Sequence, residues 1–151
     1  MNPSAVGPLP IPTAETAPYW RAALEGRLEI QRCRTCAWHQ FYPRRFCTRC
    51  LSDQVEWVPA SGRGRIYTYT VCHVAAHPAF ESRVPYALGM IELDDGVRML
   101  AGIVDSNMDR LAIGAEVQVC FERISDEVVL PMFRLADSDA SRPQGAARTP
   151  Y

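Results

Sequence analysis

The spacing of apolar residues changes period once along this chain, from about 3.6 near the start to 2 over most of the remainder. Trp20, Ala23 and Leu24 recur at i, i+3 and i+4 and predict a short amphipathic helix over 18–25. Thr16 is the expected N-cap, Pro18 fits the first turn, and Gly26 is the expected stop. A helix this short is marginal alone and needs a surface for Tyr19 and Trp20. Two short strands come next, 28–31 and 55–58. Then five strands are predicted over 65–74, 86–93, 97–104, 116–123 and 128–134. The fourth of these alternates: Val117, Val119 and Phe121 face inward, and Glu116, Gln118 and Glu122 face out. Ser61-Gly62-Arg63-Gly64 marks a change of unit, and Asp94-Asp95-Gly96 is a hairpin turn. Pro131 predicts an edge or a bulge, and 105–114 has room for no more than a turn of helix. Five strands at this spacing predict a small closed barrel of the OB type. The expected organisation is an extended arm over 1–15 (Pro3, Pro8, Pro10, Pro12) and a helix plus metal ribbon over 16–60. An OB-fold occupies 61–136, and a disordered polar tail 137–151.

Composition narrows the class. The chain has 151 residues, 48% hydrophobic and 22% charged, with a net charge of −1. That excludes wholesale disorder and a coiled coil. It also weighs against a dedicated nucleic-acid binder, which is usually strongly basic. No apolar run approaches the ~20 residues that span a bilayer, and no secretory leader is recognised, so the expected location is the cytoplasm. All sixteen basic residues are arginine, which excludes Schiff-base chemistry on lysine.

The cysteines carry the strongest chemical signal. Cys33-x-x-Cys36 and Cys47-x-x-Cys50 are matched pairs separated by ten residues, which reads as one metal site rather than disulfides. Each pair contributes two thiolates from one turn, and two turns complete a tetrahedron. Soft thiolates favour one structural zinc, with a rubredoxin-type iron site as the competitor. Four protein ligands leave no open coordination position. His39 lies between the pairs and is expected at the surface or behind the ligands. Over 27–65 eight arginines face Glu29, Asp53 and Glu56, a local excess of +5. That patch is either a solvated face near the thiolates or a site for phosphate groups.

No catalytic set emerges. Cys72 and His73 are strand neighbours and point to opposite faces. Cys120 has no evident base, and His77 is a loop histidine. Gly62-x-Gly64 is too short for a dinucleotide loop. The expectation is a binding or accessory module that is not an enzyme on its own.

Several stretches now carry a resemblance. These are Tyr19-Trp20-Arg21-Ala22-Ala23-Leu24-Glu25-Gly26-Arg27-Leu28, Gln31-Arg32-Cys33 and Trp57-Val58-Pro59-Ala60-Ser61-Gly62-Arg63-Gly64. With them go Val84-Pro85-Tyr86, Ile113-Gly114 and Leu130-Pro131-Met132-Phe133. Over roughly 16–136 the chain resembles the acyl-CoA-associated family of zinc-ribbon/OB-fold proteins, formerly a domain of unknown function. The resemblance implies an accessory subunit that scaffolds a thiolase-superfamily enzyme, or an acyl-CoA hydratase or aldolase. It implies a hetero-oligomer that helps to bind or channel a CoA thioester shared with the partner, which carries the catalytic residues. The family's ligand cysteines fall on Cys33, Cys36, Cys47 and Cys50. Glycine often follows each pair in the family, where Ala37 and Leu51 stand here. Tyr19, Trp20, Arg63, Arg65, His77, Pro78 and Phe80 are the expected partner or CoA contacts.

Two other classes compete. A zinc-ribbon/OB nucleic-acid module would use Tyr67 and Tyr69 on one strand face beside Arg65. An electron-transfer protein would hold iron and be coloured.

Overall fold

The computed structural model describes residues 8–104 and 107–136. The start of the expected arm and the expected tail lie outside them. Among the described residues eight strands form two sheets: β1 (Glu29–Cys33), β2 (His39–Gln40), β3 (Val55–Pro59), β4 (Arg63–Cys72), β5 (Tyr86–Leu93), β6 (Arg98–Ile103), β7 (Glu116–Arg123) and β8 (Val129–Leu135). One helix, α1 (Ala17–Leu24), precedes them, and short 3-10 turns cover Pro78–Arg83 and Met108–Arg110.

The helix starts by a different device from the expected one. Thr16 already has helical backbone angles and its hydroxyl caps no helix N–H. Instead Thr13 and Thr16 bond reciprocally. The Thr13 N–H donates to Thr16 Oγ1 at 2.9 Å, and the Thr16 N–H donates to Thr13 Oγ1 at 3.3 Å. This is a capping box placed one turn upstream. The stop is the expected one. Gly26 takes φ +72°, and the N–H groups of Gly26 and Arg27 bond back to Ala23 and Ala22.

β1 is the centre of the ribbon, antiparallel to both β2 and β3. β2 has two residues, too few to show any period, so no pattern in the sequence marks it. The barrel closes in the order β4-β5-β6-β8-β7. Its core is built on Phe133, Ile91, Ile66, Met99 and Val117, all buried. The barrel is pinned at two places. β4 meets β7 through Arg63–Gln118, Gly64–Val117 and Arg65–Glu116, whereas β6 meets β8, in parallel, only at Ile103–Phe133. Pro131 sits in β8 opposite Phe121 of β7, on the stretch where β6 has parted from it.

That parted seam explains the helix. Leu100 and Gly102 form one lip, Leu130 and Met132 the other, and Trp20 and Tyr42 lie across them around a cleft of about 260 Å³. Tyr19 is buried behind Trp20, in edge contact at 5.0 Å, and meets Phe41 of the ribbon at 5.5 Å. Burial holds the Tyr19 phenol above its usual range, so it stays neutral. The helix is therefore a three-way joint between ribbon, seam and barrel.

β4 corrects one sequence expectation. The β4–β5 register slips between Ile66 and Thr68, so Tyr67 is the extra residue of a bulge. Ile66 points in, Tyr67 is exposed, and Tyr69 turns back inward, where its hydroxyl donates to the Leu111 carbonyl at 2.9 Å. Tyr67 and Tyr69 therefore do not share a face, and the two-ring stacking platform expected of a nucleic-acid module does not exist. Among the described residues no helix is long and apolar enough to cross a membrane.

Candidate metal centre

The four paired cysteines converge on one point. Their sulfurs all lie within 4.8 Å of one another, with Cys33–Cys50 and Cys36–Cys47 each at 3.6 Å. A tetrahedral metal with bonds of ~2.3 Å spaces its sulfurs ~3.8 Å apart, close to the two 3.6 Å pairs, so the donor set fits one such ion. The two turns are near copies. The Ala37 N–H returns to the Cys33 carbonyl at 2.9 Å, and the Leu51 N–H to the Cys47 carbonyl at 3.0 Å. Each turn is completed by a residue in the left-handed region, Ala37 at φ 58° and Leu51 at φ 62°. This is the conformation glycine adopts most readily, and here Ala37 and Leu51 adopt it with side chains.

Left-handed backbone costs a residue with a Cβ roughly 1–2 kcal/mol, partly offset when glycine's greater unfolded-state entropy replaces it. Leu51 is 78% exposed and packs little. Leu51→Gly should therefore raise the denaturation midpoint of the metal-loaded protein, by about 0.5–1 kcal/mol in unfolding free energy. A lower midpoint would mean that Leu51 has a packing role that its exposure hides.

Position comes from neighbouring elements. β1 delivers Cys33 at its end. The second knuckle comes after an irregular stretch that two buried amides clamp. Gln31 Oε1 accepts from Gln40 Nε2 at 2.9 Å and from the Arg44 N–H at 2.7 Å. Gln40 Oε1 accepts from the Thr48 N–H at 2.8 Å, and its Nε2 donates to the Phe46 carbonyl at 3.2 Å. Both glutamines are buried, and these bonds replace the water they lose. Sequence reasoning missed this clamp, because a glutamine in a short strand carries no signal of its partners.

The electrostatics suit a cation. Burial opposes ionisation of Cys33, but the N–H groups of Cys36 and Thr35 outweigh it and bring the thiol down to about 6. Burial also opposes Cys47, which the N–H groups of Cys50 and Arg49 turn downward. The Ser52 N–H favours the Cys50 thiolate, yet the crowding sulfurs, with Cys36 foremost, push it up to about 12. Four thiols so close cannot all ionise unless positive charge sits among them. With four side-chain donors, such a site has no position left for water.

The remaining candidates are scattered. His39 lies on β2 opposite Arg32, outside the sulfur cluster. Arg63 and Arg65 flank the start of β4 and face Asp94 at 3.9 Å and Glu116 at 3.4 Å. His77 caps the 3-10 turn, its Nδ1 accepting from the Ala79 N–H at 3.1 Å. Pro78 opens that turn, and Phe80 sits between His77 and Tyr86 with ring centroids 6.1 Å from each. Tyr19 is inside the chain's own core, and Trp20 is half-buried beside it.

Comparisons with known proteins complete the description. Residues 20–56 match the family profile described as the rubredoxin-like zinc ribbon domain of ChsH2, and residues 57–122 match that of its C-terminal OB-fold domain. Over 135 residues the chain is 36% identical to a probable enoyl-CoA hydratase alpha subunit of Thermomonospora curvata. That covers 89% of this chain and 42% of the relative, so the chain spans less than half of that protein. It is 37% identical over 97 residues to a DUF35 domain-containing scaffold protein of Methanocaldococcus jannaschii, covering 64% of this chain and 68% of the other. A chain of the solved structure titled Ltp2-ChsH2(DUF35) aldolase superposes with a TM-score of 0.77 at 35% identity, over 84% of this chain and 98% of that one.

Proposed function

This chain belongs to the DUF35 family of zinc-ribbon/OB-fold scaffold proteins, and from that membership we propose that it is a non-catalytic accessory subunit of an acyl-CoA enzyme. The observation that supports this reading best is the match to 98% of a chain in the structure titled an aldolase, at 35% identity. The relative named a scaffold protein points the same way. On this reading the partner supplies the catalytic residues and is a thiolase-superfamily enzyme, a hydratase or an aldolase. The two proteins form a hetero-oligomer that shares one CoA thioester.

Zinc is the proposed metal, held by Cys33, Cys36, Cys47 and Cys50. It supplies a structural cross-link between two turns and no activated water. Residues 16–60 form the ribbon unit and 61–136 the barrel unit. Trp20, Arg63, Arg65, His77, Pro78 and Phe80 are the proposed partner or CoA contacts. Arg63 and Arg65 must exchange Asp94 and Glu116 to meet a phosphate, which limits their contribution.

Affinity purification of the tagged chain from its native host, read by mass spectrometry, tests the reading. A stoichiometric thiolase-like, hydratase-like or aldolase-like protein is expected and names the reaction class. Recovery of RNA-processing proteins with nucleic acid, and no acyl-CoA enzyme, would overturn it.

A further inference from the structure

Among the described residues, the second cysteine knuckle carries arginines that no nearby carboxylate balances. Arg27, Arg32, Arg34, Arg63, Arg65, Arg83 and Arg98 each lie within 4 Å of a carboxylate. Among the described residues no carboxylate comes that close to Arg44, Arg45 or Arg49, and positions 38–51 contain no Asp or Glu. The guanidinium groups do not turn to the thiolates either. Arg45 lies over the ring of Phe46 at 5.4 Å and Arg49 over Trp38 at 5.2 Å. Only the backbone N–H of Arg49 reaches the Cys47 sulfur. Direct screening of the cysteines is therefore not what these side chains do.

The two rings beneath Arg45 and Arg49 are open, as is Tyr42, which lines one cleft with Trp38 and Arg44. Trp38, Tyr42 and Phe46 are 43%, 49% and 48% exposed, and Leu51 of the same knuckle is 78% exposed. Tryptophan, tyrosine and arginine are the residues that anchor protein interfaces. A guanidinium already stacked on a ring has less rotamer freedom to lose when it binds. Beside this face, a cleft of about 320 Å³ separates the ribbon from the β5–β6 turn, with Trp38, His39, Tyr42, Arg44 and Arg98 among its walls.

We propose that the Arg44/Arg45/Arg49 face of the second knuckle, with Trp38, Tyr42 and Phe46, docks onto a carboxylate-bearing face of the partner subunit. The inference rests on the accessory-subunit reading and assigns the surface that reading leaves open. A protein fits better than a polynucleotide. A nucleic-acid strand needs a basic track lined by successive rings. Here no unpaired arginine carries the knuckle's charge on across β4–β6: Arg63, Arg65 and Arg98 are matched by Asp94, Glu116 and Glu92, and the bulge separates Tyr67 from Tyr69.

The test uses the metal-loaded full chain and the acyl-CoA enzyme that co-purifies with it. The variant R44E/R45E/R49E, verified by metal content and circular dichroism, should weaken the complex about 100-fold, and wild-type affinity should fall with added salt. The variant R123E/R134E, which adds as much negative charge per residue elsewhere, should bind within threefold of wild type. Hydrogen exchange should slow at 38–51 when the complex forms. A folded triple variant that binds within threefold of wild type, or protection confined to other elements, overturns the assignment while the accessory reading stands. A wild-type chain that captures no acyl-CoA enzyme overturns both. Tight binding of a single-stranded oligonucleotide, lost in the triple variant, assigns the face to nucleic acid and overturns the protein-docking assignment.

Discussion

Stripping the metal with excess chelator will unfold the ribbon and spare the barrel. Limited proteolysis should then cut freely within 28–60 while 63–135 stays resistant, and Cys36→Ser or Cys47→Ser should have the same effect. The reason is the size of the unit. β1 and β3 have five residues each and β2 has two, and its own buried apolar side chains are few, chiefly Leu28 and Ile30. Structural Zn²⁺ in small thiolate sites contributes about 10–16 kcal/mol of apparent binding free energy at neutral pH, far more than so small a core supplies. Leu28 and Ile30 join the apolar cluster of Phe133, Ile91, Ile66, Met99 and Val117, but most of that cluster belongs to the barrel, which should therefore hold without the metal. Helix α1 leans on Phe41 of the ribbon through Tyr19, so it should loosen at the seam as the ribbon melts. A digestion pattern unchanged by a strong chelator would refute the structural role of the metal.

Gly64→Ala should be the most damaging single methyl in the barrel. A Cβ there would lie 2.3 Å from the Glu92 carbonyl oxygen and 3.0 Å from the Leu93 Cα. Both obstacles are backbone and cannot swing aside. Gly64 pairs with Leu93 of β5 and with Val117 of β7, so relief would open the ladder that closes the barrel. The expected loss is about 3 kcal/mol or more, at the upper end for overpacking, read from urea denaturation. Gly96→Ala supplies the contrast. Gly96 has φ +84° and open space around its Cα, so it carries only the left-handed penalty of about 1 kcal/mol. Equal destabilisation of the two variants would mean that the β4–β5 approach is not what selects glycine at position 64.

The two glycines of the linker show how sequence and structure divide the explanation. Ser61-Gly62-Arg63-Gly64 is legible as punctuation from composition alone. Why each glycine is needed is not. Gly62 takes φ +69° and lies against Val119, while Gly64 is an ordinary strand residue crowded by a neighbouring backbone. Ser61 is fixed by a residue 34 positions away: its N–H and hydroxyl both donate to Asp95 of the β5–β6 turn, at 3.0 and 2.8 Å. No local rule reaches that far. The helix start departs from its sequence expectation for a related reason. Thr16 looks like a cap by residue type, but Thr13 offers the same chemistry one turn earlier, and the reciprocal pair wins.

Local chemistry along the chain suffices for the strands of period 2, the short helix with its Gly26 stop, the five-stranded barrel and the four-thiol site. Each of these rests on repeats or spacings that can be read directly: alternation for a half-buried strand, and two C-x-x-C turns for one tetrahedron. It takes the folded chain to part Tyr67 from Tyr69, because a bulge shifts parity without leaving a mark in composition. Folding also gives Gln31 and Gln40 their role as the clamp of the second knuckle. It sets Arg45 and Arg49 over exposed rings while the arginines at the start of β4 find carboxylates. Those outcomes depend on which distant groups meet, and a side chain's charge or polarity does not name its partner until the chain has folded around it.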